Sequence, residues 1–322
     1  MIAPSPSDKH GAAMLTNTRV AWFNGAIVPE GQVLIPYRDK SWKSGDGCFD
    51  MTRTFNGAIF RLKEHIDRFY KSMRYIRIDP GLSPREMIAA TEAVVARNEH
   101  LREAHGDWWV GQRISRGVDA VGDEGWDHTG PNLVIDCTPL PLAARALMYR
   151  DGAEVMTTTM RRTAPSMLSP RAKMNNYLNM VVAGAPIKAA RPDAWPLLLD
   201  ENGNLAEGSG SNIFIVDDGR LRTPRARYVL PGVSRQMVID LAATRGIPCE
   251  EADIDLYDAA NADEMFLTAT SLCILPVRSF NGQPVGITAW TGAGPVTQRL
   301  IDAYAAAVGC DFVRQYLDRV PA

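Results

Sequence analysis

The segment Leu205-Ala-Glu-Gly-Ser-Gly-Ser-Asn-Ile-Phe214 carries the most specific pattern in this chain of 322 residues. A glutamate, Glu207, precedes two glycines that favour a bend, and the apolar residues that follow predict a buried strand. Taken alone, Glu207 is more typical of a solvated turn acid than of a functional group. A functional role for Glu207 is indicated only when three other segments of the chain are considered with it.

Two of these segments carry chemically useful groups. Arg171-Ala-Lys-Met-Asn-Asn-Tyr177 places Lys173 just before a predicted amphipathic helix, although a single lysine is most often a solvated surface group. Leu230-Pro-Gly-Val-Ser-Arg235 places a glycine directly before another predicted helix. Free N–H groups and the helix dipole favour an anion at such a start, and Ser234 adds a hydroxyl. A plain helix cap explains this segment equally well.

The fourth segment, Phe266-Leu-Thr-Ala-Thr-Ser271, is a predicted strand that ends in hydroxyl groups. Lysine is scarce around all four segments, because the chain has 28 arginines but only seven lysines. After Lys71 the only lysines are Lys173 and Lys188. Lys188 lies among alanines with no motif around it, so Lys173 is the better candidate for a covalent attachment site.

Composition narrows the class of protein. The formal net charge of −2 argues against a nucleic-acid-binding protein, which would show a basic domain or stripe. No apolar run approaches the roughly 18 residues that a membrane helix needs. The five cysteines are scattered, which fits neither a disulfide framework nor a zinc site, and we therefore expect a cytoplasmic protein without a structural metal.

Local patterns predict both helices and strands. Apolar residues three and four positions apart from Leu62 to Ile76 indicate an amphipathic helix. Ser83-Pro-Arg-Glu86 is a capping-box start for a second helix, and Asn56-Gly57 indicates a hairpin turn. Because strands and helices are mixed without regular βαβ alternation, the predicted fold class is α+β.

The length and the Pro-rich stretch Thr138-Pro-Leu-Pro-Leu142 predict two domains with a linker between them. The predicted boundaries are a disordered extension over 1–18, a small N-terminal domain over 19–137, a linker over 138–146 and a large C-terminal domain over 147–322.

In combination, the four segments resemble those of the class IV (fold type IV) pyridoxal-phosphate aminotransferases. The resemblance covers nearly the whole chain after residue 20, and it includes Glu64-His-Ile-Asp-Arg68 and Gly294-Pro-Val-Thr297. This family includes branched-chain and D-amino acid aminotransferases, (R)-selective amine transaminases and aminodeoxychorismate lyase. The resemblance implies pyridoxal 5′-phosphate as cofactor, a small α/β domain followed by a larger barrel-like α/β domain that binds the cofactor, and a homodimer.

The resemblance also implies roles for individual residues. Lys173 corresponds to the Schiff-base lysine, and Glu207 to the acid that pairs with the pyridine nitrogen of the cofactor. Leu230 corresponds to the residue that packs on the ring face, and Tyr177 to a group near the ring, although ordinary helix packing explains Tyr177 equally well. The residues that match the phosphate cup are Arg68, Val233 through its N–H, Ser234 and Thr270.

The sequence says less about the substrate. The segment Ser44-Gly-Asp-Gly-Cys-Phe49 and the residues after it resemble D-amino acid and (R)-amine enzymes more than branched-chain enzymes. The Arg-x-His carboxylate trap of D-amino acid enzymes is not visible after Arg116. Arg113 and Arg116 are candidates for binding a substrate carboxylate, although solvated strand ends are the commoner role of such residues. Candidates for the substrate pocket are Phe49, Trp126 and Ser271, with the adjacent pair Trp108 and Trp109 expected to point to opposite strand faces.

These observations predict a ping-pong transaminase that acts on an apolar or aromatic amine or amino acid, with (R) or D preference and a 2-oxo acid such as pyruvate as acceptor. Three alternatives stay open. The first is a branched-chain L-amino acid aminotransferase, the second is an aminodeoxychorismate lyase-type enzyme, and the third is a non-catalytic binding protein that keeps the fold.

Overall fold

The computed structural model describes residues 18–120, 129–286 and 292–321. Its strands are β1 (Val20–Phe23), β2 (Ala26–Pro29), β3 (Gly47–Phe55), β4 (Ala58–Ile59), β5 (Trp108–Val118), β6 (Gly130–Pro139), β7 (Ala153–Arg161), β8 (Trp195–Leu199), β9 (Leu205–Gly208), β10 (Asn212–Asp217), β11 (Arg220–Pro224), β12 (Cys249–Ala252), β13 (Glu264–Ala269), β14 (Cys273–Phe280) and β15 (Gln283–Pro284). Its α-helices are α1 (Lys40–Ser44), α2 (Leu62–Ile76), α3 (Pro84–Asn98), α4 (Ala146–Asp151), α5 (Leu178–Ala190), α6 (Val233–Thr244), α7 (Leu256–Ala260), α8 (Pro295–Val308) and α9 (Phe312–Leu317). Among the described residues, no helix is both long enough and apolar enough to cross a membrane.

The first sheet is antiparallel and has the order β2-β1-β6-β5-β3-β4. Helices α2 and α3 cover one face of it, because each helix has an apolar stripe that would otherwise be exposed to water. Alternation along β5 sends Trp108 into this layer and Trp109 to the opposite face, as the sequence predicts. The second face of the sheet therefore faces the larger part of the chain.

The second sheet mixes parallel and antiparallel pairs and has the order β12-β11-β10-β13-β14-β7-β8-β9, with β15 added beside β14. Its central strands are buried, and the stacked rings of Phe214 and Phe266, 5.0 Å apart, join β10 to β13. A bridge between Gly208 and Ser211 connects the end of β9 to the start of β10, so the sheet curls back on itself. The predicted α+β class is confirmed.

The predicted start of the linker lies inside the first sheet. Thr138 and Pro139 continue β6 and pair with Trp109 and Trp108 of β5. A proline is tolerated there because β1, the other neighbour of β6, pairs with that strand only at residues 134 and 135. The predicted disordered extension lies outside the described residues except for residue 18. The predicted helices over 62–76 and from Ser83 onward are confirmed as α2 and α3, and the capping box of α3 is formed.

Candidate active site

The backbone around Lys173 is fixed between the two sheets. The Phe49 N–H donates to the Lys173 carbonyl at 2.9 Å, and the Asn175 N–H donates to the Gly47 carbonyl at 2.9 Å. The Lys173 N–H donates to Ser72 Oγ of helix α2 at 3.0 Å. This short segment therefore extends the first sheet beside β3 and directs the Lys173 side chain into a cavity of about 260 Å³, called here the Lys173 cavity.

Two aromatic rings surround the Lys173 amine. Its Nζ lies 4.6 Å from the centre of the Phe49 ring and donates to the Tyr177 hydroxyl at 3.1 Å. The Phe49 and Tyr177 rings are 5.4 Å apart and tilted by 54°. The amine is therefore half-buried on an apolar wall, with the Tyr177 hydroxyl as its hydrogen-bond partner among the described residues, and it remains available to a molecule in the cavity.

Glu207 lines the same cavity and is only 3% exposed. Arg162 Nε donates to its Oε1 at 2.9 Å, and the Leu230 N–H donates to its Oε2 at 2.9 Å. Burial raises the pKa of Glu207, and the Arg162 guanidinium and the Leu230 N–H oppose that rise. The carboxylate is therefore held in one orientation between two donors.

Helix α6 begins at the cavity. The N–H groups of its first residues, Val233 and Ser234, have no intrahelical acceptor, as at any helix start. Gly232 precedes them at the N-cap, and a Cβ on it would lie 2.2 Å from Asn212 Oδ1. Asn212 in turn donates from Nδ2 to the Leu230 carbonyl at 2.9 Å. Only glycine allows this close approach, which presents the helix N-terminus to the cavity.

Arg68 is held against the same helix start. Its guanidinium donates twice to Asp50, at 2.8 and 2.7 Å, and once to the Pro231 carbonyl at 3.1 Å. His65 Nδ1 lies 2.7 Å from the same carboxylate. Although burial opposes ionisation, Arg68 and His65 together hold the pKa of Asp50 well below its usual range. The cation is thereby fixed at the edge of the cavity.

The end of β13 and the turn after it place hydroxyl groups on this side of the cavity. Thr268 of β13, and Thr270 and Ser271 of the turn, all line the cavity. Thr268 Oγ1 is buried and has no hydrogen-bond partner among the described residues. Ser271 is held from outside, since its Oγ accepts from Arg145 and its carbonyl accepts from Tyr316. The turn thus offers hydroxyl groups in a fixed position.

Only some of the predicted substrate-binding residues lie at the Lys173 cavity. Phe49 and Ser271 line the cavity. Arg113 is 48% exposed, lies 5.3 Å from the centre of the Phe49 ring and pairs with Asp136 at 3.6 Å, but it is not among the residues that line the cavity. Arg116 does not line the cavity, because Asp46 binds its Nε at 2.6 Å and two backbone carbonyls accept its remaining donors. Trp126 lies outside the described residues.

Sequence reasoning missed several residues of this site. Arg162 directly follows Arg161 at the end of β7, and no sequence motif indicates which of the two arginines has a functional role. Asp50, which orients Arg68, directly follows Phe49 in the sequence, but no local pattern marks it as the partner of an arginine. The sequence does carry one usable signal for Asn212, because it stands directly after the Gly-rich bend that contains Glu207.

The residues present fit pyridoxal phosphate. Lys173 supplies an amine, Glu207 supplies a buried carboxylate for the ring nitrogen, and the start of α6 supplies N–H groups for the phosphate beside a glycine that a side chain could not replace. The orphaned Thr268 hydroxyl adds a buried polar atom that still lacks a partner among the described residues. The amine, the carboxylate and the N–H groups suit a molecule with one carbonyl, one ring nitrogen and one phosphate, respectively.

Comparison with known proteins agrees with this fit. The sequence profile described as Amino-transferase class IV matches residues 47–280. A Methanocaldococcus jannaschii protein of the branched-chain-amino-acid aminotransferase type is 34% identical over 88% of this chain and 94% of that protein. The D-alanine aminotransferase of Bacillus licheniformis is 26% identical over 86% of this chain and 93% of its own length.

Solved structures show the same relationship. The branched-chain amino acid aminotransferase of Escherichia coli has a TM-score of 0.79 and 29% identity, over 90% of this chain and 94% of that one. Another branched-chain amino acid aminotransferase, solved with pyridoxamine 5′-phosphate, has a TM-score of 0.80 and 29% identity over the same shares of the two chains. The fold type IV expected from the sequence is thereby confirmed. The chain belongs to the class IV aminotransferase family and is a pyridoxal-phosphate-dependent aminotransferase.

Proposed function

We propose that the chain transfers an amino group between a branched-chain L-amino acid and a 2-oxo acid. The observation that carries this proposal is the apolar wall next to the Lys173 amine. Besides Phe49 and Tyr177, this wall includes Met51, Trp109 and Met180. Burial of an aliphatic substrate side chain on such a wall makes the free energy of binding more favourable, by about 25 cal/mol for each Å² of apolar surface removed from water. The relatives that carry the branched-chain name support this donor class better than the (R) or D preference that the sequence predicts.

The cofactor supplies the electron sink that makes loss of a proton from the substrate Cα feasible. Lys173 Nζ would hold the cofactor at rest and, once released from it, would take that proton. Tyr177 accepts a hydrogen bond from the amine and orients it, while Phe49 keeps water from one side of it. The amine would then return the proton, and water would release the donor as its 2-oxo acid, with the amino group left on the bound cofactor. A second 2-oxo acid would accept that amino group in the return half of a ping-pong cycle and release the water again.

The remaining residues bind and orient. Glu207 would accept a hydrogen bond from the protonated ring nitrogen, and Leu230 would pack against the ring. We assign the phosphate to the Val233 and Ser234 N–H groups, with Arg68 and Thr270 beside them. Arg113 is the guanidinium that we propose for a substrate carboxylate, because it is half exposed and lies 5.3 Å from the centre of the Phe49 ring. Its pair with Asp136 is long, at 3.6 Å, whereas Asp46 binds Arg116 at 2.6 Å and two backbone carbonyls accept further donors of Arg116.

A donor panel of matched enantiomers tests the proposal. We expect L-leucine, L-isoleucine and L-valine to convert a 2-oxo acid acceptor to its amino acid at rates well above those of their D forms. Transfer from D-alanine or (R)-1-phenylethylamine, with none from the L-branched-chain donors, would contradict it.

The second candidate function is transfer from a D-amino acid or an (R)-amine. It is favoured by the Phe49 segment, whose ring lies 4.6 Å from the Lys173 amine, and by the similarity to a D-alanine aminotransferase. The same panel decides between the two donors. A lyase would differ from both, because it would release pyruvate from an amino-chorismate without any acceptor acid.

Two wider expectations accompany the proposed function. We propose a homodimer in which one subunit helps to close the active site of the other, as the family resemblance implies. We also propose a cytoplasmic location, since all five cysteines are free thiols. Size-exclusion chromatography with light scattering and cell fractionation test these two points separately.

A further inference from the structure

A second cavity, of about 540 Å³, adjoins the Lys173 cavity. The two are neighbours because Arg68, Gly232 and Val233 line both of them. We call it the basic cavity, since among its described lining residues one acidic side chain, Glu64, faces several basic ones. These basic side chains are Arg61, Arg68, Lys71, Arg171 and Arg235.

The charge in the basic cavity is not balanced. Arg61, Arg68 and Arg235 each have a carboxylate oxygen within 3.2 Å. Lys71 and Arg171 have no ion-pair or hydrogen-bond partner in the part of the chain that the structure describes. Two exposed cations from different segments of the chain therefore face one cavity with their charge uncompensated, and an anion there would be attracted by both.

The inner wall of the basic cavity also has an unused donor. The Arg235 side chain is 3% exposed, and its buried Nε has no hydrogen-bond partner among the described residues. Arg235 lies in the first turn of helix α6, whose positive dipole end begins at Val233. A buried donor without a partner is destabilising, and Arg235 lines the same cavity as the two free cations, so together they favour a ligand that accepts hydrogen bonds.

From the juxtaposition of Lys71, Arg171 and the start of α6, we propose that the basic cavity binds a phosphate monoester. Its role is to capture the phosphorylated cofactor before the cofactor moves into the neighbouring Lys173 cavity. A dianion gains more from two uncompensated cations than a substrate carboxylate does, because the attraction scales with its charge. Arg68, Gly232 and Val233 line both cavities, so a phosphate in the basic cavity lies next to residues of the Lys173 cavity.

Uptake of pyridoxal phosphate by the cofactor-free protein tests this capture role. The rate is followed by the absorbance that appears when the cofactor attaches to the enzyme. We expect the double variant Lys71→Gln/Arg171→Gln to take up the cofactor about tenfold more slowly at low salt, the lower end of the range for electrostatic steering. Its rate should also depend less on ionic strength, whereas its final cofactor content should equal that of the wild type.

A control with the same loss of charge is Lys188→Gln/Arg220→Gln, because both side chains are exposed and neither lines either cavity. The control should take up cofactor at the wild-type rate. Equal uptake rates in both double variants and the wild type would overturn the proposal. Uptake kinetics do not depend on the amino donor, so this test can fail while the proposed function holds, and the reverse is also true.

Inorganic phosphate provides a second measurement, on the holoenzyme, where the cofactor already fills the inner phosphate site. We expect calorimetry to show phosphate binding to the wild-type holoenzyme and at least about tenfold weaker binding to Lys71→Gln/Arg171→Gln, as for the loss of charged hydrogen bonds. Phosphate binding without any effect on cofactor uptake would overturn the capture role and assign the basic cavity to free phosphate. Absence of phosphate binding to the wild-type holoenzyme would overturn the proposed anion site.

Discussion

Arg162 donates from Nε to Glu207 Oε1 across 2.9 Å, and this pair is the main support of the charged carboxylate in the Lys173 cavity. Burial alone would favour the neutral acid, because a carboxylate loses its hydration in the interior. The guanidinium restores part of that loss and, together with the Leu230 N–H on the other oxygen, holds the carboxylate in one orientation. Arg162 is therefore a positioning residue for Glu207.

Removing the Arg162 charge should change the pH dependence of the reaction. Arg162→Met removes the group that opposes the rise in the pKa of Glu207, so that pKa should rise further. More of the acid is then protonated at a given pH, and the acidic limb of kcat should move up by about 1–3 pH units, the usual effect of an adjacent opposite charge. A pH–rate profile over the acidic and neutral range measures the shift.

The neighbouring Arg161 offers a matched control, since its side chain is exposed and makes no ion pair with a described residue. Arg161→Met should keep the wild-type profile. Glu207→Gln should abolish the limb altogether, because the titrating group is gone. An unshifted limb in Arg162→Met would show that the pair does not set the protonation of Glu207.

Gly232 should tolerate no side chain. A methyl group in Gly232→Ala would meet Asn212 Oδ1 at 2.2 Å, so either the helix start or the strand must move. We expect a loss of about 1–3 kcal/mol in the free energy of unfolding of the cofactor-free protein, as for other overpacked sites. The affinity for pyridoxal phosphate, measured by absorbance titration, should fall as well.

Gly210 provides the comparison for stability. A Cβ there would meet nothing within 4 Å, and its φ angle is not in the left-handed region. Urea unfolding of Gly210→Ala should therefore differ from that of the wild type by less than about 0.5 kcal/mol. Equal stability of the two alanine variants would mean that the close approach of Gly232 and Asn212 is not a constraint.

The Asp50–Arg68 pair should contribute to stability in a pH-dependent way. Asp50 has a pKa held below its usual value of 3.8, so its contribution is present above that value and is lost as the pH falls below it. Asp50→Asn leaves Arg68 buried without its counter-ion, and we expect a loss of about 3–5 kcal/mol at neutral pH. The difference from the wild type should shrink as denaturation is measured at pH values below 3.8.

Asp67→Asn serves as the control, because its pair with Lys63 is largely exposed. An exposed pair of this kind contributes at most about 1 kcal/mol. If Asp50→Asn destabilised the protein no more than Asp67→Asn, the buried network around Arg68 would not be a structural support of the site.

The sequence predicts the parts of this site that depend on local backbone. Gly232 before a helix is recognisable because a side chain there would clash, whereas Glu207 and Lys173 are recognisable only through their combination with the other segments. The partners that hold these groups come from distant segments, and no local pattern marks them. Arg162 reaches Glu207 across 45 residues, and Asp50 reaches Arg68 across 18, through side-chain contacts that only the folded chain creates.

Substrate preference is harder to predict for the same reason. Arg113 and Arg116 look alike in the sequence, yet Arg113 lies beside the Phe49 ring with a long pair to Asp136, whereas Arg116 is bound closely by Asp46. The difference arises from the register of β5 against β3, which pairs Phe49 with Arg113. A register of this kind depends on the packing of the whole sheet.

The central claim is that the Lys173 cavity is the site of cofactor attachment. Borohydride reduction of the holoenzyme makes the bond between the cofactor and its lysine permanent, and peptide mapping by mass spectrometry then locates it. We predict one modified lysine, Lys173, and no modification in the variant Lys173→Ala. Attachment at Lys188 or at any other lysine of the wild-type protein would contradict the account.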